Sequence, residues 1–143
     1  MINLENGNIE ISENFVIGRG LTKNEFIHSI LANDILDEDE YGYTRYRIKP
    51  QSIGGKRFIM LLYFRPDGIL SSITLEFCLG DEWFTQAWDD WSLEKMRRDK
   101  KENDEWLKTT YNLQPWSEFP WGTVKSVFDE RVGSSHILID YSL

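Results

Sequence analysis

Residues 57–77 constrain the fold more than any other stretch. Residues 57–65 carry apolar side chains on both parities, Phe58, Met60, Leu62 and Phe64 alternating with Ile59, Leu61 and Tyr63. A strand that is apolar on both sides has to be covered on both faces, which places it inside a sheet. Pro66-Asp67-Gly68 follows at once, with proline preset for the first corner of a turn and glycine free to take positive φ. Residues 69–77 then alternate cleanly, Ile73, Leu75 and Phe77 against Ser72, Thr74 and Glu76, the period of a strand with one packed and one polar face. So short a connection joins only antiparallel neighbours. The chain is thereby committed to an antiparallel sheet, and the rest of it has to supply the cover.

Two helical regions are predicted to do so. Over 22–33, Thr22 is placed to cap, Glu25 to return the bond, and Leu21 to staple onto Phe26. Phe26, Ile27, Ile30 and Leu31 share one stripe, while Lys23, Asn24 and His28 lie elsewhere. The second region spans about 83–111, with Phe84, Ala87, Trp88 and Trp91 on one stripe and Leu93, Met96, Trp106 and Leu107 further on. Ser92 is able to start a new helix within it, Lys100 and Asp104 have i,i+4 spacing, and Asn112 followed by Pro115 ends it. Ahead of the first helix, Ile9, Ile11, Phe15 and Ile17 read as short extended segments broken by Gly18 and Gly20. Residues 43–49 read as a strand stopping at Pro50, Gly54-Gly55 as a turn, and 122–128 with 135–141 as a hairpin about Gly133. The expected fold is one α+β domain over residues 1–143: an antiparallel β-sheet packed with an N-terminal amphipathic helix and a Trp-rich helical region, with a C-terminal β-hairpin. No repeat or linker divides it, and a chain of 143 residues buries enough surface for its own core.

Composition narrows function by exclusion. The single cysteine, Cys78, rules out an intramolecular disulfide, and a cytoplasmic location is expected. The first residues have no basic and apolar leader, and the apolar run 58–64 falls far short of the roughly 20 residues that cross a bilayer, so no membrane role is expected. Two histidines and one cysteine are too few for zinc. Asp37 to Gly42 fails as a calcium loop, because the twelfth position is Ile48. Gly18-Arg19-Gly20 lacks a third glycine for a dinucleotide. A nucleophilic dyad would have to pair Cys78 with His136, and Cys78 between Phe77 and Leu79 reads more simply as a small buried hydrophobe. No catalytic residue, cofactor or metal site is predicted, and the chain reads as a binder rather than an enzyme.

Charge and aromatics remain. Asp and Glu number 24 against 16 Lys and Arg, a formal charge of -8 that disfavours nucleic acid and suits a basic partner. The acids concentrate at Asp37, Glu38, Asp39 and Glu40, beside Tyr41 and Tyr43, and at Asp81, Glu82, Asp89 and Asp90, around Trp83. The first group is either a solvated loop between helix and strand or an anionic finger that meets a basic surface. All six tryptophans fall in the second half; Trp88 and Trp91 read as core, while Trp83, Trp116 and Trp121 lie near element ends, where an indole is half wet. The candidate partner-binding set is Asp37, Glu38, Asp39, Glu40, Tyr41, Tyr43, Asp81, Glu82, Trp83, Asp89, Asp90 and Trp116.

Pro120-Trp121-Gly122-Thr123-Val124, then Phe128-Asp129, then Gly133-Ser134-Ser135 leading into Ile137-Leu138-Ile139-Asp140-Tyr141, resemble the end of several small immunity proteins of bacterial polymorphic-toxin and contact-dependent inhibition systems. Gly20-Leu21-Thr22-Lys23-Asn24-Glu25-Phe26, followed by 58–64 and 68–77, is similar to the helix-then-antiparallel-strands arrangement of beta-lactamase-inhibitor-like modules. The resemblance implies a cytoplasmic inhibitor that covers the basic cleft of a cognate toxin domain, such as a nuclease. It assigns no binding residue. The readings left beside it are a small enzyme or ligand-binding module with a Trp-lined pocket, and an adaptor subunit of an oligomer.

Overall fold

The computed structural model describes residues 1–12, 15–78, 92–131 and 133–141. Strands β1 (Ile9–Ser12) and β2 (Phe15–Ile17) precede helix α1 (Lys23–Ile27) and a 3₁₀ segment, Ile30–Asp34. Strands β3 (Ile35–Tyr41), β4 (Tyr43–Ile53), β5 (Lys56–Phe64) and β6 (Leu70–Phe77) follow, then helix α2 (Leu93–Tyr111) and strands β7 (Trp116–Phe119), β8 (Gly122–Asp129) and β9 (Ser134–Asp140). β1 and β2 form a two-stranded ribbon; the other seven strands form one sheet in the order β3-β4-β5-β6-β9-β8-β7. Every neighbouring pair is antiparallel, and the fold is α+β.

The pair β5 and β6 lies inside the sheet as its patterning requires. Asp67 holds the connecting turn, accepting from the Ile69 amide at 3.1 Å and from Arg65 Nη2 at 2.9 Å, and these bonds keep its carboxyl below the usual carboxylate range. Phe58, Met60, Leu62 and Phe64 point into the main core with Ile73, Leu75, Val124, Ile137 and Ile139. The ribbon and both helices cover that same face, adding Ile9, Ile17, Phe26, Trp106 and Leu107. The alternate side chains of β5, Ile59 and Leu61, join Cys78 in a separate cluster with Tyr63 against it. By strand alternation this second cluster lies on the opposite face.

Local chemistry sets the element ends. Thr22 and Glu25 close the predicted capping box. The helix nonetheless stops at Ile27, well short of residue 33. Ser29 ends it: its hydroxyl donates to the Phe26 carbonyl at 2.6 Å and accepts from the Leu31 amide at 3.2 Å, drawing the backbone out of the helical pattern and capping the 3₁₀ segment. The break rotates Ile27 and Ile30 into solvent while Phe26 and Leu31 stay buried. Ser92 caps α2 through the Lys95 amide at 3.0 Å, and Asn112 ends it at φ 57°. The part of the expected helical region before Ser92 lies outside the described residues. The expected Lys100–Asp104 pair closes at 2.7 Å.

Three further departures have clear causes. β4 does not stop at Pro50; a bulge between Ile48 and Gln51 absorbs the residue that has no amide to give, and the strand runs on to Ile53. β7, unforeseen as a strand, forms a hairpin with β8 across Pro120 and Trp121. Trp121 is not half wet. It is buried, stacks on Phe119 at 5.0 Å, and donates its indole N–H to the Leu4 carbonyl at 2.8 Å. Gly7 makes room for it, since a side chain there would run into the indole ring.

Candidate partner-binding edge

The acidic run Asp37 to Glu40 is neither a solvated loop nor a free finger. It is the body of β3, an edge strand. β4 dictates this, because its alternating Arg45 and Arg47 supply the cross-strand complement that lets four consecutive carboxylates sit in a sheet. Asp37 pairs with Arg47 and Asp39 with Arg45 in register. Arg45 Nη2 lies 3.4 Å from Asp37 and 3.9 Å from Asp39, and Arg47 Nη1 lies 3.7 Å from Asp37. On the helix-bearing face, Glu40 takes the Lys23 ammonium at 3.2 Å, and Glu38 accepts from the Tyr46 hydroxyl at 3.3 Å. Burial, then the Glu38 charge, pushes Tyr46 up to about 12. Four acids therefore meet three cations, Lys23, Arg45 and Arg47, which leaves a local excess of one negative charge. The edge is less electronegative than the sequence run suggests, and its carboxylates are held in place.

At the tip of this hairpin the tyrosines stand in solvent, Tyr41 at 93% and Tyr43 at 47% exposure, flanking Gly42 at φ 79°. The structure thus brings together six of the candidate residues: Asp37, Glu38, Asp39, Glu40, Tyr41 and Tyr43. Trp116 does not join them. It lies on β7, the opposite edge, six strand spacings or roughly 29 Å away. There it is 61% exposed, with Lys125 Nζ 4.1 Å from its ring centroid. Asp81, Glu82, Trp83, Asp89 and Asp90 lie outside the described residues.

A second group of polar side chains lies on the sheet face away from the helices. Glu76 on β6 is half-buried, and desolvation raises its carboxyl above the usual range against the pull of Arg47 and Arg45. Burial also raises Tyr63 and lowers His136. Arg45 Nε is buried without a hydrogen-bond partner. The parity of Ser72, Thr74 and Glu76 announced this face as polar; Thr74 on it is buried, while Ser72 and Glu76 keep partial exposure. Cys78 is buried, as its neighbours suggested, and the Nδ1 of His136 meets the Ser134 hydroxyl at 3.0 Å. Among the described residues, no group of three or more His, Cys, Asp or Glu side chains is placed to hold a metal ion. Among them, too, no helix is long and apolar enough to cross a membrane.

In comparisons with protein-family models, curated proteins and solved structures, nothing matches the chain.

Proposed function

We propose that the protein neutralises a cognate toxin domain by stoichiometric binding at the β3–β4 edge. The observation that carries this reading is a strand with no further described strand on its outer side, whose four carboxylates are fixed by Lys23, Arg45, Arg47 and Tyr46, next to two solvent-exposed tyrosines. Carboxylates already held in position lose little freedom when a cationic partner arrives. Tyrosines present large, stiff contact area at low entropic cost. Complementary charge speeds encounter with a basic cleft, and buried tyrosines slow release. A toxin domain with a basic substrate cleft, such as a nuclease, is the matching partner, and the cytoplasm of the toxin-producing cell is where neutralisation is needed.

The test is titration calorimetry with the toxin domain encoded beside this gene. The expected result is a one-to-one complex with Kd in the nanomolar range, about -12 kcal/mol. Tyr41→Ala with Tyr43→Ala is expected to weaken it by at least about tenfold, in line with the loss of interface anchors. An absent complex, or an unchanged Kd in the double variant, defeats the reading. The second reading, a small ligand-binding module, draws support from the buried Arg45 Nε that lacks a hydrogen-bond partner, on the same face as half-buried Glu76. It predicts a thermal shift with a small anion that Arg45→Lys abolishes.

A further inference from the structure

The direction of each backbone group at the free edge follows from hydrogen bonds inside the sheet. The Cys78 amide donates to the Arg57 carbonyl and the Arg65 amide to the Ile69 carbonyl, so odd-numbered residues of β5 turn their backbone groups towards β6. Even-numbered residues of β5 then face β4. Thr44, Tyr46 and Ile48, which lie opposite Phe64, Leu62 and Met60, answer them. Arg45 and Arg47 consequently face β3, bonding to Asp39 and Asp37. The alternation leaves the N–H and C=O of Glu38 and Glu40 pointing outward, with no described strand beside them. The two residues that offer free backbone bonds are also the two whose side chains carry the edge's unbalanced charge: Glu40 meets one cation, Lys23, and Glu38 the neutral Tyr46 hydroxyl, whereas Asp37 and Asp39 share two cations.

We infer that β3 accepts an extended segment of its partner as an added strand, with lysine or arginine at alternate positions opposite Glu38 and Glu40. In an antiparallel addition, the residues that exchange backbone bonds with Glu38 and Glu40 place their side chains on the same face as the two glutamates. One set of positions thus supplies both the backbone bonds and the cations. A second copy of this chain is the wrong occupant, because β3 against β3 sets carboxylates against carboxylates. The opposite edge offers less. The Ser126 amide donates to the Pro115 carbonyl, so by the same alternation Trp116 and Glu118 turn outward on a strand of only four residues. The inference deepens the proposed function, resting on the reading that this edge binds a protein, and names the mode of contact.

The probe is a short synthetic peptide of alternating lysine and valine, compared with the same peptide N-methylated at its lysine amides. Methylation keeps every charge and removes the donors that would face β3. The readout is hydrogen exchange at the Glu38 and Glu40 amides of the full chain, followed by NMR. The unmodified peptide is expected to slow both amides by about tenfold or more at concentrations up to about 1 mM, and the methylated one to leave them unchanged. Glu38→Gln with Glu40→Gln is expected to weaken the peptide several-fold while the remaining amides of β3 and β4 keep their protection. Equal behaviour of the two peptides, or amides that stay fast at the highest concentration, overturns the inference. A toxin domain that binds while these amides still exchange freely also overturns it and leaves the proposed function standing. Protection by the peptide with no toxin complex leaves the added strand standing and removes the proposed function.

Discussion

The two faces of the seven-stranded sheet divide the work of the molecule. The helix-bearing face is continuous apolar packing from Ile48 on β4 to Val124 on β8, closed by Phe26, Trp106 and Leu107. Among the described residues the opposite face has one small apolar cluster, Ile59, Leu61 and Cys78, set among Arg45, Arg47, Tyr63, Thr74 and Glu76. β5 is buried on both sides, but the two burials are unlike. One is anchored by long-range aromatic contacts, such as Phe58 on Trp106 at 4.8 Å, with the Trp106 indole donating to the Gly54 carbonyl at 3.1 Å. Stability should reside on the first face, and the arginine-held carboxylates of the β3–β4 pair on the second. Truncating residues of one strand that point to opposite faces tests this most strongly. Phe58→Ala is expected to cost about 3–5 kcal/mol, and Leu61→Ala to fall near the lower end of the large-to-small range, about 2 kcal/mol. Urea denaturation measures both, and equal losses would erase the asymmetry.

A polar residue on the packed face gives the next largest effect, of opposite sign. Asn103 on α2 is fully buried, and neither atom of its amide has a hydrogen-bond partner. Such groups carry their desolvation cost uncompensated, about 1–3 kcal/mol. Asn103→Leu, close in volume and apolar, is expected to raise stability by an amount of that order, read as a higher urea midpoint at unchanged m. A loss would mean that the amide is satisfied by bound water.

Much of this division was legible in the sequence, and the rest was hidden for physical reasons. Local patterns declared themselves: the two-sided strand at 57–65, the capping box at Thr22 and the Ser92 start of α2 all rest on neighbours in the chain. What was missed depends on partners far away. Asp37 to Glu40 looked like a loop because four adjacent acids are poor strand formers; Arg45 and Arg47, across a hairpin, make the strand possible. β7 has only four residues, and its pairing with β8 outweighs its weak propensity. Trp121 was read by its place near an element end, whereas its burial follows from Leu4 and Gly7 at the other end of the chain. The binding set was half legible. Its members on β3 and β4 meet at one edge, but nothing along the chain tells that Trp116 lies across the full width of the sheet.

Glu76 tests whether the second face excludes water as well as carrying charge. Burial raises its carboxyl, and the charged groups acting on it are Arg47 and Arg45 on β4 with Lys95 and Asp99 on α2. The folded chain therefore holds the proton more tightly than the unfolded chain. Between the ordinary glutamate pKa and the raised one, the native state binds more protons, so stability falls as pH rises through that window. Glu76→Gln removes this contribution. The variant is expected to melt above the wild type at neutral pH, with the gap closing towards pH 4. A gap that stays constant with pH would show that Glu76 is solvated.

The smallest effect belongs to the exposed ion pairs, and there the faces differ most in kind. Asp37 sits between Arg45 and Arg47 at 3.4 and 3.7 Å, with nearly half of its side chain in water. Pairs of this sort contribute about 0.2–1 kcal/mol, so Asp37→Asn should barely move the urea midpoint. What it should change is the field at the edge. With one carboxylate gone, Arg45 and Arg47 are no longer matched, the local excess of negative charge disappears, and a cationic partner meets a neutral strand. Association with the proposed toxin partner is expected to slow several-fold at low salt, and the difference to vanish near 1 M salt, where the screening length is about 3 Å. Dissociation, governed by the tyrosine contacts, should stay as it was. A variant that lost stability but kept its association rate would place Asp37 with the packed face instead, as part of what holds the sheet together.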